Sequence, residues 1–287
     1  MYNISMKPKL RSKYRVFLGK HFYRCLRRLK WLFGSEKYAT QRDNKQLEFN
    51  IFEHATPVYR KLKDVDMWLQ ENKAHNLEIA IKRINGIILR PGETFSYWKL
   101  IGNPSKSKGY KEGMILYYGS YKAGVGGGLC QLSNLIFWMA IHTPLTVVER
   151  YRHSYDVFPD SGRTQPFGSG ATCVYNYRDL VLRNDTDECY QINLCLEDDY
   201  LKGQVCSELE KYLNFEVYEA SHEINHEYWG AYSRNNEIRR KISNIEGELL
   251  LDEKVCENHA LMMYDPYIEY RRYSAECHNS SNRNCNY

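Results

Sequence analysis

Gly126-Gly127-Gly128-Leu129-Cys130-Gln131-Leu132-Ser133 sets a thiol directly behind three glycines. It also opens an apolar run, Leu129 to Ile141, that holds no Gly or Pro. The glycines permit a sharp turn with positive φ, and the run is long enough for a buried helix. Cys130 then falls in the first turn of that helix. Unpaired N–H groups and the helix dipole favour negative charge there, and a thiol so placed is favoured as thiolate. This is the setting of a nucleophilic cysteine. The amides of Gly127 and Gly128 and the side chains of Gln131 and Ser133 are then placed to meet an oxyanion or a substrate. Two plainer readings stand beside it. Cysteine is often a small buried hydrophobe, and a glycine turn before a helix also suits a phosphate. No Lys-Ser or Lys-Thr follows the glycines, so the segment is not a P-loop.

A nucleophilic thiol needs a base. His153 is the best placed, in the polar segment Glu149-Arg150-Tyr151-Arg152-His153-Ser154 that follows an expected strand, 146–150. A helix and a returning strand suffice to bring it near Cys130. The plainer reading is a histidine at a strand end. His142, at the end of the apolar helix, is a weaker candidate whose charge suits the dipole there. Arg150 and Arg152 suit a carboxylate or phosphate, or a solvated strand end. Asp156 and Asp160 are both candidates to orient the imidazole, and the spacing selects neither.

The elements that position these groups follow from the pattern. A helix is expected from Asn76, with Asn76 as N-cap, ending at Gly86. Strands are expected at 87–89 and 114–118, leading into the glycine turn. After Thr143-Pro144 come strands at 146–150, 172–177, 179–184, 190–196, 203–208 and 213–218. A further set covers 222–231, 236–242, 248–256 and 260–264. The expectation is an α+β fold: a helical N-terminal half around a central buried helix, then a mostly antiparallel β-sheet. The expected parts are a basic amphipathic segment, 1–43; a core, 44–200; a β-rich extension, 201–273; and a disordered tail, 274–287.

The net charge of +5 over 287 residues is unevenly held. Residues 1–43 carry twelve Lys/Arg against Glu36 and Asp43, a net of +10, and the remainder is net negative. Within 14–33, Leu18, Phe22, Leu26 and Leu29 alternate with Arg and Lys as in an amphipathic basic helix. Such a helix lies on an anionic membrane surface or packs its stripe on the protein body. The basic charge is confined to this segment, so nucleic acid is not expected as a partner. No apolar run reaches the ~18–20 residues of a membrane span. The N-terminus lacks the apolar stretch of a cleaved signal, so a cytoplasmic protein is expected. The nine cysteines include no C-x-x-C pair, so no metal, no cofactor and free thiols are expected.

Several segments in order resemble the VanW family: Asn85-Gly86 with Pro91-Gly92-Glu93-Thr94-Phe95-Ser96; Gly126 to Asn134; Phe137-Trp138 with His142-Thr143-Pro144-Leu145-Thr146; Glu149-Arg150 with His153; and Asp179-Leu180 with Arg183 to Asp187. The resemblance runs from about residue 10 to about residue 270. It implies an accessory role in glycopeptide resistance or peptidoglycan metabolism. It also implies cysteine acyl transfer of the L,D-transpeptidase kind, with Cys130 as nucleophile and His153 as base; from their placement in the sequence, Gly127, Gly128, Gln131, Ser133 and Arg150 are expected around the substrate. The expected partner is a peptidoglycan peptide or lipid-linked precursor, with residues 7–42 touching the inner face of an anionic membrane. The alternative is a non-catalytic protein that binds precursors or partner proteins at that surface. In many members an Asp precedes the Ala-Thr pair; here Gly170 does.

Overall fold

The structure is a computed structural model that describes residues 12–59, 66–159 and 164–266. The first helix, α1 (Lys13–Phe33), is started by Ser12, whose Oγ accepts from Arg15 N at 3.3 Å. Strands β1 (Lys37–Tyr38) and β2 (Phe49–Pro57) precede α2 (Met67–Ile84). Then come β3 (Ile87–Leu89), β4 (Glu93–Ser96), the short α3 (Tyr97–Ile101), and the hairpin β5 (Glu112–Tyr117) and β6 (Ser120–Val125). The central helix is α4 (Cys130–Ala140), followed by β7 (Thr146–Glu149), β8 (Tyr155–Asp156) and β9 (Val181–Arg183). The last strands are β10 (Tyr190–Glu197), β11 (Tyr200–Ser207), β12 (Leu213–His226), β13 (Tyr232–Asn244) and β14 (Leu249–Met262). The fold is α+β, with the helices in the N-terminal half and mostly antiparallel sheet after it.

Three four-stranded sheets have the orders β1-β4-β9-β7, β2-β11-β10-β3 and β12-β13-β14-β8, and β5-β6 pair alone. β11 lies between β2 and β10, so that sheet runs on to Ser207. α4 lies on that sheet. Its Leu132, Leu135, Ile136, Phe137 and Met139 are buried with Ile192, Leu194, Leu201 and Val205. A Cβ on Gly203 in β11 would sit 2.7 Å from Met139 Sδ, so a larger residue there would have to displace the ends of the Met139 and Leu135 side chains of α4. The long C-terminal sheet braces the far end of α4, because Arg240 Nη1 donates to Thr143 O at 3.1 Å and Ile141 O at 3.3 Å.

Several expected elements differ. α2 begins at Met67, not Asn76, because nothing between 66 and 84 breaks a helix; Asn76 is buried inside it. β2 was not expected from the sequence. Residues 172–177 form no strand beyond the single bridge Val174–Arg178. The C-terminal strands expected as short pieces are three long ones. Their β-bulges, such as those between Glu219 and Ser221 and between Ile238 and Arg239, break the alternation that sequence reading relies on. The expected tail, 274–287, lies outside the described residues.

The glycine turn is closed by backbone packing. Gly126 and Gly128 have φ of 75° and 90°, and a Cβ on Gly113 in β5 would lie 2.6 Å from Gly127 O. Gly113→Ala therefore has to part β5 from the turn. We expect it to lower unfolding free energy by about 1–3 kcal/mol, the usual cost of overpacking; urea denaturation will read this, and an unchanged midpoint would contradict the crossing.

Candidate functional site

Cys130 is the first residue of α4 and is half-buried. Its S–H points at Cys173 O, 3.8 Å away. Leu129, the residue before it, is fixed by Tyr97, whose hydroxyl donates to Leu129 O at 2.8 Å. The turn is fixed by Asn76. Its Nδ2 donates to Gly127 O (2.9 Å) and Lys111 O (3.0 Å), and its Oδ1 accepts from Lys111 N (2.8 Å). The amides of Gly126, Gly127 and Gly128 donate to Lys111 O, Gly124 O and Met114 O. Gly127 and Gly128 thus shape the turn with N–H groups already occupied. Lys73, whose Nζ donates to Val58 O, runs its aliphatic stem beside Gly128.

The other expected site residues have definite places. Ser133 Oγ donates to Ala171 O (2.7 Å) and Cys130 O (3.1 Å), and the residue is fully buried. Gln131 Nε2 donates to Thr56 Oγ1 (3.0 Å) and Pro57 O (2.9 Å), tying α4 to β2. Arg150 is engaged by the protein itself. Its Nε donates to Gly170 O (2.8 Å), and its Nη2 to Gly168 O and to Asn258 Oδ1 (3.0 Å). Asp156 accepts from Tyr264 (2.9 Å) and Arg234 (3.4 Å), not from His153, and Asp160 lies outside the described residues. His142 stacks on Phe52 and bonds Trp138 O through Nδ1 at 2.8 Å, so it serves the core.

His153 sits between β7 and β8. The backbone on both sides is pinned, since Tyr151 O accepts from Thr172 N (2.7 Å) and Ser154 O from Leu261 N (3.0 Å). The segment 171–173 thus touches both Cys130 and Tyr151. Among the described residues, however, no hydrogen bond joins Cys130 to His153, and the imidazole bonds to nothing else. Gly170 has a steric reason. A Cβ there would lie 2.5 Å from Asn134 Oδ1, which accepts from Ala171 N at 2.8 Å.

The residues that hold this region were not singled out by chemistry in the sequence. Asp179 is fully buried and accepts from Ser96 Oγ (2.6 Å), Trp98 N (3.0 Å) and Leu180 N (3.0 Å). Glu149 accepts from Asp179 N at 3.2 Å and forms a forked ion pair with Arg27 of α1. The clue was present in the segments Glu93-Thr94-Phe95-Ser96 and Asp179-Leu180, both among those on which the family resemblance rests. Seven described cysteines are free thiols. Among the described residues no group of His, Cys, Asp and Glu could hold a metal ion, and no helix is long and apolar enough to cross a membrane.

Burial dominates the electrostatics. It pushes the Cys130 thiol up, against the helix-start effect. Burial, then Arg152 and Arg178, lower His153 to about 4. Burial also lowers His142 to about 4 and raises Asp179 to about 6. At neutral pH the resting pair is therefore a thiol and a neutral imidazole, not an ion pair.

Fold and site together define the class: an α+β protein whose central helix starts on a thiol behind a glycine turn. Residues 72–206 match the family model described as VanW like protein. The chain is 36% identical over 213 residues to the vancomycin B-type resistance protein VanW of Enterococcus faecalis, covering 74% of this chain and 78% of that one. It is also 36% identical over 118 residues to YoaR of Bacillus subtilis, described as uncharacterized, covering 41% and 37% of the two chains. No solved structure matches. The chain belongs to the VanW family.

The shifted groups set a pH dependence. Both histidines have folded values below the ordinary 6.5, so their contribution is full above that pH and is lost as pH falls towards 4. Asp179 acts oppositely: its folded value exceeds 3.8, so its penalty shrinks as pH falls through 6. From pH 7 to pH 5 each histidine costs about 2 kcal/mol and Asp179 returns about 1 kcal/mol. Urea unfolding at the two pH values should show a net loss, reduced in His142→Phe; equal stability at both would contradict these environments.

Proposed function

We propose that this protein is an accessory factor of glycopeptide resistance that acts on cell-wall peptides, with Cys130 as an acyl-accepting nucleophile. The single observation that carries the reading is the placement of Cys130. It is the half-exposed first residue of a buried helix, held by Asn76 and Tyr97 through the backbone on its N-terminal side. Similarity to the Enterococcus faecalis protein over most of both chains supports the resistance role.

The chemistry is acyl transfer. Neutral His153 takes the thiol proton, and the sulfur bonds to the carbonyl carbon of a peptide donor. The tetrahedral adduct collapses, the leaving amine departs with a proton, and a thioester remains. A second amine then attacks the thioester, its proton passes to the base, and Cys130 regains its own. His153 is neutral at pH 7, and with its value lowered to about 4 it is a weak base unless substrate binding changes its surroundings.

A second reading, a precursor-binding protein without turnover, is favoured by one observation: Cys130 and His153 share no hydrogen bond at rest. Incubation with tetrapeptide and pentapeptide muropeptides, followed by intact mass measurement, separates the two. Acyl transfer predicts an adduct on Cys130 that is absent in Cys130→Ala and formed about a hundredfold more slowly in His153→Gln. Peptide binding with no adduct would favour the second reading, and an unbound protein would defeat both.

A further inference from the structure

α1 presents its faces in an unusual order. Arg24, Arg27 and Trp31 look inward. Arg27 pairs with Glu149, Arg24 Nε donates to Tyr175 O at 3.1 Å, and Trp31 O accepts from Lys99 Nζ at 3.3 Å. The helix is thus held to the body by its cations. Its apolar row faces the other way: Leu18, Phe22 and Leu29 are 56%, 59% and 45% exposed, and Leu32 and Phe33 at the end are 74% and 82% exposed. At 1.5 Å per residue the row from Leu18 to Phe33 is about 22 Å long. The packing expected of an amphipathic helix on its own protein is therefore reversed.

We infer that the outward row of α1 docks on the surface of an anionic lipid bilayer. Charge selects this occupant. Residues 1–35 contain no Asp or Glu, while Arg15, Lys20, Arg28 and Lys30 stand exposed on the same helix. Two copies meeting row to row would bring like charges together without a carboxylate between them. An anionic headgroup layer neutralises the same cations as the apolar side chains enter the acyl boundary. Arg27 and Glu149 then fix the body against the membrane, because Glu149 also holds Asp179 N beneath the Cys130 region. The inference does not rest on acyl transfer.

Co-sedimentation of the full chain tests it, using phosphatidylcholine vesicles with and without phosphatidylglycerol at about 0.1 M salt. The wild type should bind the anionic vesicles at least about tenfold more tightly than the neutral ones. Leu18→Ser/Phe22→Ser/Leu29→Ser should lose at least about tenfold while eluting as a folded monomer. Arg15→Gln/Arg28→Gln alters only exposed charge and should lose about tenfold, so the test survives misfolding of the first variant. Equal binding to both vesicle types would overturn the inference. So would a wild-type dimer that the serine variant dissociates and that ignores vesicles.

Discussion

The backbone of Gly113 in β5 lies against that of Gly127 so closely that neither residue has room for a side chain. Asn76, buried within α2, spends three hydrogen bonds on this crossing, to Lys111 twice and to Gly127 once. A buried amide bonded at both ends is costly to move, since each broken bond leaves an unsatisfied group. The crossing therefore sets where the turn ends and where α4 begins. Cys130, Gln131 and Ser133 take their positions from it: one at the half-exposed helix start, one tied back to β2, one buried against Ala171.

The second constraint is the dry polar network beneath. Asp179 is burdened by burial yet kept by three donors, and its neighbour Glu149 is paired with Arg27. Such a network stays intact only if all its members are satisfied. It links α1, the turn into α3 and the segment 171–180, and so connects the exposed row of the first helix to the wall of the thiol site. The same dryness explains the resting state of Cys130. A helix start favours thiolate, but burial outweighs it here and keeps the proton on sulfur.

Sequence reading located what local pattern encodes. The apolar run of α4, the turn at Gly86, the strand 87–89 and the helix over 14–33 all follow from periodicity and glycine placement. It missed what only tertiary contact defines. Asn76 reads as a helix cap because asparagine usually caps, yet here its amide serves a distant loop. Arg150 reads as a ligand arginine, yet its donors go to Gly168, Gly170 and Asn258, residues far along the chain. Bulges hid the length of β12, β13 and β14 by breaking their two-residue period. The outward turn of the α1 stripe was one of two open readings, and spacing alone says nothing about which face meets the body.

The account stands on a thiol that is well positioned but protonated at rest. The most direct test is the rate of iodoacetamide alkylation at Cys130 as a function of pH, followed at the peptide level so that exposed Cys25 and Cys195 are read separately. The rate at Cys130 should keep rising beyond the ordinary thiol range of about 8.5. A rate that levels off at or below neutral pH would mean a preformed thiolate, and would contradict a half-buried thiol kept protonated by its desolvation.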